Sequence, residues 1–152
     1  MAKNDKIIIC PIEFEDMVQF TVLGKPFAKQ RPRVAHRGRF STIYTPRETK
    51  LYEAKVKKQY LNAVGNIKMD GPLIATIKGT FSPSKSTNKK TKKEMLEGNI
   101  LHTQKPDCDN MGKICLDALN DVAYNDDSQI CKLNIEKVYG EIDNVNIKIK
   151  KL

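Results

Sequence analysis

Asp109-Asn-Met-Gly-Lys-Ile-Cys-Leu-Asp-Ala-Leu-Asn-Asp-Val122, then Tyr124-Asn-Asp-Asp127, then Cys131-Lys-Leu-Asn-Ile-Glu136, is the stretch that decides the fold. In its first part Met111, Cys115, Ala118, Leu119 and Val122 recur at helical spacing, with Ile114 and Leu116 alongside. That predicts a helix from about Asp109 to Val122. In its last part the period drops to two. Cys131, Leu133 and Ile135 face one way and Lys132, Asn134 and Glu136 the other, as in a half-buried strand. Val145, Ile147 and Ile149 repeat the alternation, and Gly140 marks a hairpin between the two strands.

Working outward, Met17-Val-Gln-Phe-Thr-Val-Leu23 alternates and stops at Gly24, and Leu73 to Phe81 is a second β-prone run opened by Gly71-Pro72. Thr45-Pro46, with Glu48 three residues after the threonine, has the form of a capping box with proline at the first helical position. The helix it opens runs to about Ala63, with Leu51, Ala54, Val56, Tyr60 and Leu61 near one side. Gly24 to Pro46 shows no helical period and reads as a long connection, of the kind that carries function or moves. Ser82 to Lys93 is polar and lysine-rich, leading into a short helix near Lys92–Glu97. The expected fold is α+β: a single compact domain, residues 1–152, with a small mixed β-sheet and two main α-helices.

Composition narrows the function. The chain has a net charge of +9, unevenly spread. Residues 25–58 hold eleven Lys/Arg against Glu48 and Glu53, a local +9, and residues 85–105 hold six Lys against Glu94 and Glu97, a local +4. Residues 106–152 hold nine Asp/Glu against six Lys, a local −3. A basic surface beside a localised carboxylate cluster points to a reaction performed on a polyanion. The four cysteines form no Cys-x-x-Cys pair and lie far in sequence from the two histidines, His36 and His102, which argues against a zinc site and for reduced, mostly buried thiols. No apolar run is long enough for a membrane span, and the charged opening Met1-Ala-Lys-Asn-Asp5 lacks the apolar core of a secretory signal.

The carboxylates carry the chemistry. Pro106 disfavours helix before it and tolerates one just after, so Asp107 and Asp109 fall at a loop-to-helix junction. Two residues apart in an extended stretch, they can converge. A single aspartate there is explained by capping and the helix dipole; a pair followed by Asp126-Asp127 at a strand start is not. Converging carboxylates repel unless a cation neutralises them, and an all-oxygen donor set fits Mg²⁺, with Mn²⁺ able to substitute. Lys113, one turn beyond Asp109, either stabilises transition-state charge or pairs with Asp109 or Asp117 at i,i+4 spacing. Asp117 reads as an orienting or structural group and Asp121 as solvent-exposed.

The basic loop offers Lys29, Arg31, Arg33, Arg37, Arg39 and Arg47, with Lys105 beside the acidic cluster, as contacts to DNA phosphates. Its aromatics, Phe27, Phe40 and Tyr44, could stack on an unpaired base, but are expected to pin the loop to the core.

Lys105-Pro-Asp-Cys-Asp-Asn-Met-Gly-Lys-Ile-Cys-Leu-Asp-Ala-Leu-Asn120, followed by Tyr124-Asn-Asp-Asp-Ser-Gln-Ile130, resembles the signature of the RusA family of Holliday junction resolvases, roughly D-x-D-N-x-x-K-x-x-x-D-A-L then D-D-x-Q-[IV]. Gly24-Lys-Pro, Arg31-Pro-Arg33 and Tyr44-Thr-Pro46 resemble its phage and Gram-positive branch. The resemblance implies a RusA-like fold and a cytoplasmic, bacterial or phage-encoded homodimer. It implies a protein that binds branched DNA, needs Mg²⁺ and no small-molecule cofactor, and makes paired nicks in opposed strands of four-way junctions during recombination or repair. By position, Asp107, Asp109 and Asp127 match the essential carboxylates, Lys113 the essential lysine, and Asp126 an acidic position of less defined role. Cys108 stands where the family usually has an apolar residue. His102-Thr-Gln-Lys105 is less basic than the arginine cluster some members carry, which shifts DNA contact towards Arg31–Arg47. Two other readings fit the same residues: a less selective nuclease on flaps, forks or RNA, and a catalytically silent DNA-binding module.

Overall fold

The computed structural model describes residues 16–152; Met1 to Asp5 and Cys10 lie outside the described residues. Strand β1 (Met17–Leu23) buries Val18, Phe20 and Val22 on one side and leaves Gln19 and Thr21 on the other. Gly24 follows at φ 104°, a left-handed turn that glycine adopts without strain. Helix α1 (Arg47–Ala63) and strand β4 (Leu73–Phe81) come next, separated from β1 by a hairpin, β2 (Arg33–Arg37) and β3 (Phe40–Tyr44). Helix α2 (Lys89–Leu96), helix α3 (Cys108–Ala118), strand β5 (Ile130–Tyr139) and strand β6 (Asn144–Lys151) complete the chain.

Four strands form one mixed sheet in the order β1-β6-β4-β5. Strands β4 and β5 run parallel, while β6 is antiparallel to both β1 and β4. The α+β class with a small mixed sheet is as expected. The hairpin expected at Gly140 is not formed, because β4 lies between β5 and β6. The two strands on either side of Gly140 are consecutive in sequence without being neighbours, and the Gly140 N–H is bound to the Phe81 carbonyl at the end of β4 (3.0 Å). Alternation gives the facing of a strand and not its partner, so this crossover was invisible.

One face of the sheet is covered by α1 and α3, and the core lies between. Helix α1 buries Thr49, Tyr52, Val56 and Tyr60, a stripe rotated from the expected one; Leu51 and Leu61 are exposed. Aromatic contacts set that rotation: Tyr52 stacks on Phe27 (5.5 Å between centroids) and Tyr60 meets Phe20 edge-on (5.4 Å). The expected capping box is also absent. Pro46 occupies the N-cap, one residue later than predicted, and no side chain caps the helix.

Helix α3 stops at Ala118, a turn short of the predicted end, and the chain reverses at Asp121 with φ 61°. Val122 still enters the core, carried by that turn rather than by the helix. The helix lies close on the sheet because position 112 is glycine: a Cβ there would collide with the Ile135 side chain. Strand β5 is an edge strand. Ile135 is packed under α3 and Leu133 is 45% exposed, whereas Cys131 is exposed and breaks the expected alternation. Leu73 pairs with Ile130 and Ile74 with Lys132, so Cys131 is the extra residue of a bulge and Ile130 packs against the core in its stead. Helix α2 begins at Lys89, earlier than expected, where Asn88 accepts from the Thr91 N–H (2.8 Å) as a cap. Among the described residues no helix is long and apolar enough to cross a membrane.

Candidate active site

Helix α3 presents the acidic motif. Asp107 is its N-cap residue by backbone position (ψ 149°), yet its side chain makes no capping hydrogen bond. Both carboxylate oxygens instead accept from the Lys105 ammonium, at 2.9 Å each, and Asn110 Nδ2 donates at 3.5 Å. The bonds from Lys105 hold the Asp107 carboxyl below the usual aspartate range. Capping of backbone N–H groups therefore does not account for Asp107, whose carboxylate is half-exposed. Asp109, in the first turn, is exposed.

Lys113 is exposed and, among the described residues, pairs with no carboxylate. The salt bridge to Asp109 or Asp117 does not form. Asp117 is taken by Lys29 (3.0 Å), which also binds Glu53 of α1. Burial opposes the charge of Lys29, but the bonds from Glu53 and Asp117 outweigh it and hold its pKa above the usual value. The Lys29 N–H is in turn bound to the Asn110 carbonyl (3.0 Å). Lys29 thus ties the basic loop to α1 and α3 and does not project with the arginines.

Asp126 and Asp127 are adjacent but differently used. Asp126 caps the 3-10 turn Asp127–Gln129: its carboxylate accepts from the Ser128 N–H (3.1 Å), and bonds from Ser128 keep its pKa low. Gln129 completes the capping box, Oε1 accepting from the N–H groups of Asn125 (2.8 Å) and Asp126 (3.3 Å). Its Nε2 donates to the carbonyls of Met69 (3.2 Å) and Gly71 (3.0 Å), fastening the turn to the loop before β4. Asp127 is positioned through its backbone, whose N–H is bound by Asn120 Oδ1 (2.9 Å). Its carboxyl is pushed above the usual range by partial burial, then by the negative charges of Asp117 and Asp126.

The acidic residues therefore fall into two groups along α3: Asp107 and Asp109 at its start, and Asp117, Asp126 and Asp127 towards its end. Among the described residues no three His, Cys, Asp or Glu side chains stand close enough to hold a metal ion. The donor set fits a hard cation bound by one or two carboxylates and completed by water and substrate phosphate, which is how Mg²⁺ is ordinarily held.

The basic segment is no plain loop. Strands β2 and β3 make a two-stranded hairpin, turned at Gly38 (φ 61°), and every residue of both strands is exposed. Pairing of Arg33 with Tyr44 and Arg37 with Phe40 puts two guanidinium groups and two aromatics on one face. Val34 opposite Ile43 and His36 opposite Ser41 make the other. Arg31, Arg39 and Arg47 are exposed too. Phe27 does pin the chain to the core, but Phe40 (79% exposed) and Tyr44 do not.

The sequence profile described as endodeoxyribonuclease RusA matches residues 24–150. The chain belongs to the RusA endodeoxyribonuclease family. An uncharacterised protein of Bacillus subtilis (strain 168), YqaN, is 35% identical over 144 residues, spanning 90% of this chain and 98% of its own.

Membership of the RusA family makes the protein a nuclease. Three positioning residues were given no role from the sequence, although Gln129 stands in the D-D-x-Q signature. Gln129 and Asn120 hold the Asp126-Asp127 turn. Lys137 of β5 donates to the carbonyls of Gln104 (2.7 Å) and Pro106 (2.9 Å), fixing the approach to Asp107. Only Gln129 had a legible signal, its capping-box spacing from Asp126.

Proposed function

We propose that this RusA-family protein is a Mg²⁺-dependent endonuclease that resolves four-way DNA junctions by paired symmetric nicks, in recombination or repair. The observation that carries this reading is the non-capping Asp107, a carboxylate at a helix entrance held only by the exposed Lys105 and by a long bond from Asn110. RusA-family nucleases are in general divalent-metal dependent. The single site expected of Asp107, Asp109, Asp126 and Asp127 together is not assembled among the described residues. The cation would therefore be held by one or two carboxylates of one group, Asp107 and Asp109 or Asp126 and Asp127, with water and substrate phosphate completing its shell. When bound it supplies charge neutralisation and a more acidic water.

The remaining roles belong to the chain's own groups. The exposed ammonium of Lys113 would offset charge developing on the phosphoryl oxygens. Asp117 and Lys29 lock α3 to α1, so the acidic residues keep their spacing. Arg31, Arg33, Arg37, Arg39 and Arg47 bind phosphates, and Lys105, released from Asp107, adds to them. A homodimer suits the reaction, since two equivalent strands then meet two equivalent sites. Such a protein works in the cytoplasm of a bacterium, encoded by the host or a phage.

The test is cleavage of a synthetic mobile junction in Mg²⁺, alongside linear duplex, flap, fork and RNA substrates, with Asp107→Asn and Asp127→Asn. Paired nicks confined to the junction and lost in both variants are expected. Equal cleavage of flaps or forks would replace junction resolution with a less selective nuclease. No cleavage at all, with junction binding intact, would leave a DNA-binding module.

A further inference from the structure

Outside the acidic motif, a cavity of about 360 Å³ opens between the end of β4, the Ser82–Lys85 segment that follows it, and the His102–Lys105 segment that leads into α3. Three cations line it: Lys25, Lys85 and Lys105. Its wall is aromatic. His102 lies flat on Phe81 (3.8 Å between centroids, 14° between planes) with Tyr139 tilted against it (5.2 Å). His102 is only 8% exposed, and its Nδ1, sealed from solvent, has no hydrogen-bond partner among the described residues.

These features are odd for a structural core. The one carboxylate in the lining, Asp143, is already committed to the Ser82 N–H (2.6 Å) and hydroxyl (3.1 Å), so it neutralises none of the three lysines directly. Desolvation, Lys137 and Lys25 all disfavour protonation of His102. With Asp143 bound to Ser82 and Lys105 to Asp107, Lys25 and Lys85 stand in the recess with no carboxylate partner among the described residues, and such a surplus of cations suits an anion. Its volume lies at the small end of the range for ligand pockets, about 300–1,000 Å³, which suits one small polar unit.

Lys105 fixes where that unit belongs. The same side chain that lines the cavity holds both oxygens of Asp107. The cavity and the acidic motif are therefore neighbours across a single lysine. We propose that the cavity is a nucleotide subsite, holding the phosphate of the DNA nucleotide next to the scissile bond on Lys25 and Lys85, with His102 and Tyr139 against its sugar and base. This rests on the nuclease reading above and adds a site to it. The weakly basic His102–Lys105 segment would then act together with lysines brought from Lys25 and Lys85, far away in sequence.

The chain has two histidines, and His36 sits on the exposed hairpin, so His36→Gln leaves His102 as the single imidazole signal in a proton–carbon NMR spectrum. Titrating a thymidine tetranucleotide in EDTA should move that signal saturably. The Lys25→Ala/Lys85→Ala variant should need about tenfold more oligonucleotide. On an intact junction the same variant should lower the slope of log affinity against log salt by about 0.9, the loss of one phosphate contact. A His102 signal that stays still, or an unchanged slope, overturns the subsite. Absence of cleavage by the wild type in Mg²⁺ overturns the nuclease reading alone, because neither of these measurements uses catalysis.

Discussion

Lys105 places its ammonium 2.9 Å from each carboxylate oxygen of Asp107, the position of charge that a divalent cation would otherwise fill. The pair is exposed, so the lysine is a weak and displaceable competitor. Lys105→Met should therefore lower the Mg²⁺ concentration for half-maximal cleavage by about two- to fivefold. Junction binding without metal should weaken if Lys105 contacts DNA as proposed, since an exposed cation has gone. A Mg²⁺ titration of cleavage by both proteins checks this; an unchanged half-point would mean that the lysine and the cation do not compete.

Asp126 and Asp127 should separate cleanly. Asp127→Asn is expected to reduce cleavage by more than roughly a hundredfold with the fold intact. Asp126→Ala removes a cap, so it should lower Tm by about 2–4 °C and keep measurable activity. Single-turnover cleavage and thermal melts on each variant distinguish the two.

The raised pKa of Asp127 also sets a pH signature. Folded, this carboxyl holds its proton more tightly than in the unfolded chain, so its ionised form opposes folding. That penalty is fully present above the folded pKa and disappears as pH falls through it towards the ordinary value of 3.8. In EDTA, Asp127→Asn should therefore melt higher than wild type at pH 7, and the gap should close on acidification. Added Mg²⁺ should narrow the gap at pH 7 by neutralising the wild-type charge. A gap that widens on acidification would contradict the assigned burial and repulsion at Asp127.

The parts of this fold that were legible from sequence are those fixed by local period. Strands β1 and β4 begin and end where alternation does, and Asp107 falls at the helix entrance where Pro106 put it. What was missed depended on contacts distant in sequence. The insertion of β4 between β5 and β6 depends on pairing, which alternation does not encode. The rotation of α1 follows from Phe20 and Phe27 meeting Tyr60 and Tyr52. The motif spacing located Asp126-Asp127 but not their division of labour, which follows from one carboxylate accepting the Ser128 N–H and the other facing Asp117. Likewise Lys29 looked like one more cation of the loop until Glu53 and Asp117 closed around it.

Packing under α3 gives a purely structural prediction. Gly112→Ala adds a methyl group where Ile135 already sits, so helix and sheet must part or Ile135 must change rotamer. The expected cost is about 1–3 kcal/mol, with Tm lower by several degrees. Because α3 carries Asp109 and Lys113 and starts at Asp107, kcat should fall, while junction affinity, proposed to rest on the hairpin, should be kept. Urea unfolding and junction binding of the variant measure the two halves.

The hairpin offers the opposite case, function without stability. Phe40 is exposed and pairs across the strands with Arg37, so it contributes nothing to the core and stands beside a guanidinium proposed to bind phosphate. Phe40→Ala should leave unfolding free energy within about 0.5 kcal/mol of wild type. If the ring stacks on a base unpaired at the branch point, junction affinity should drop about tenfold or more, with linear duplex affinity unchanged. Arg33→Ala and Arg37→Ala should weaken binding to both DNAs and each lower the salt slope by about 0.9. On the proposed roles stacking would read the branch and the arginines the backbone, so the two kinds of variant should differ in selectivity. Equal loss on junction and duplex from Phe40→Ala would assign the ring to general DNA contact instead.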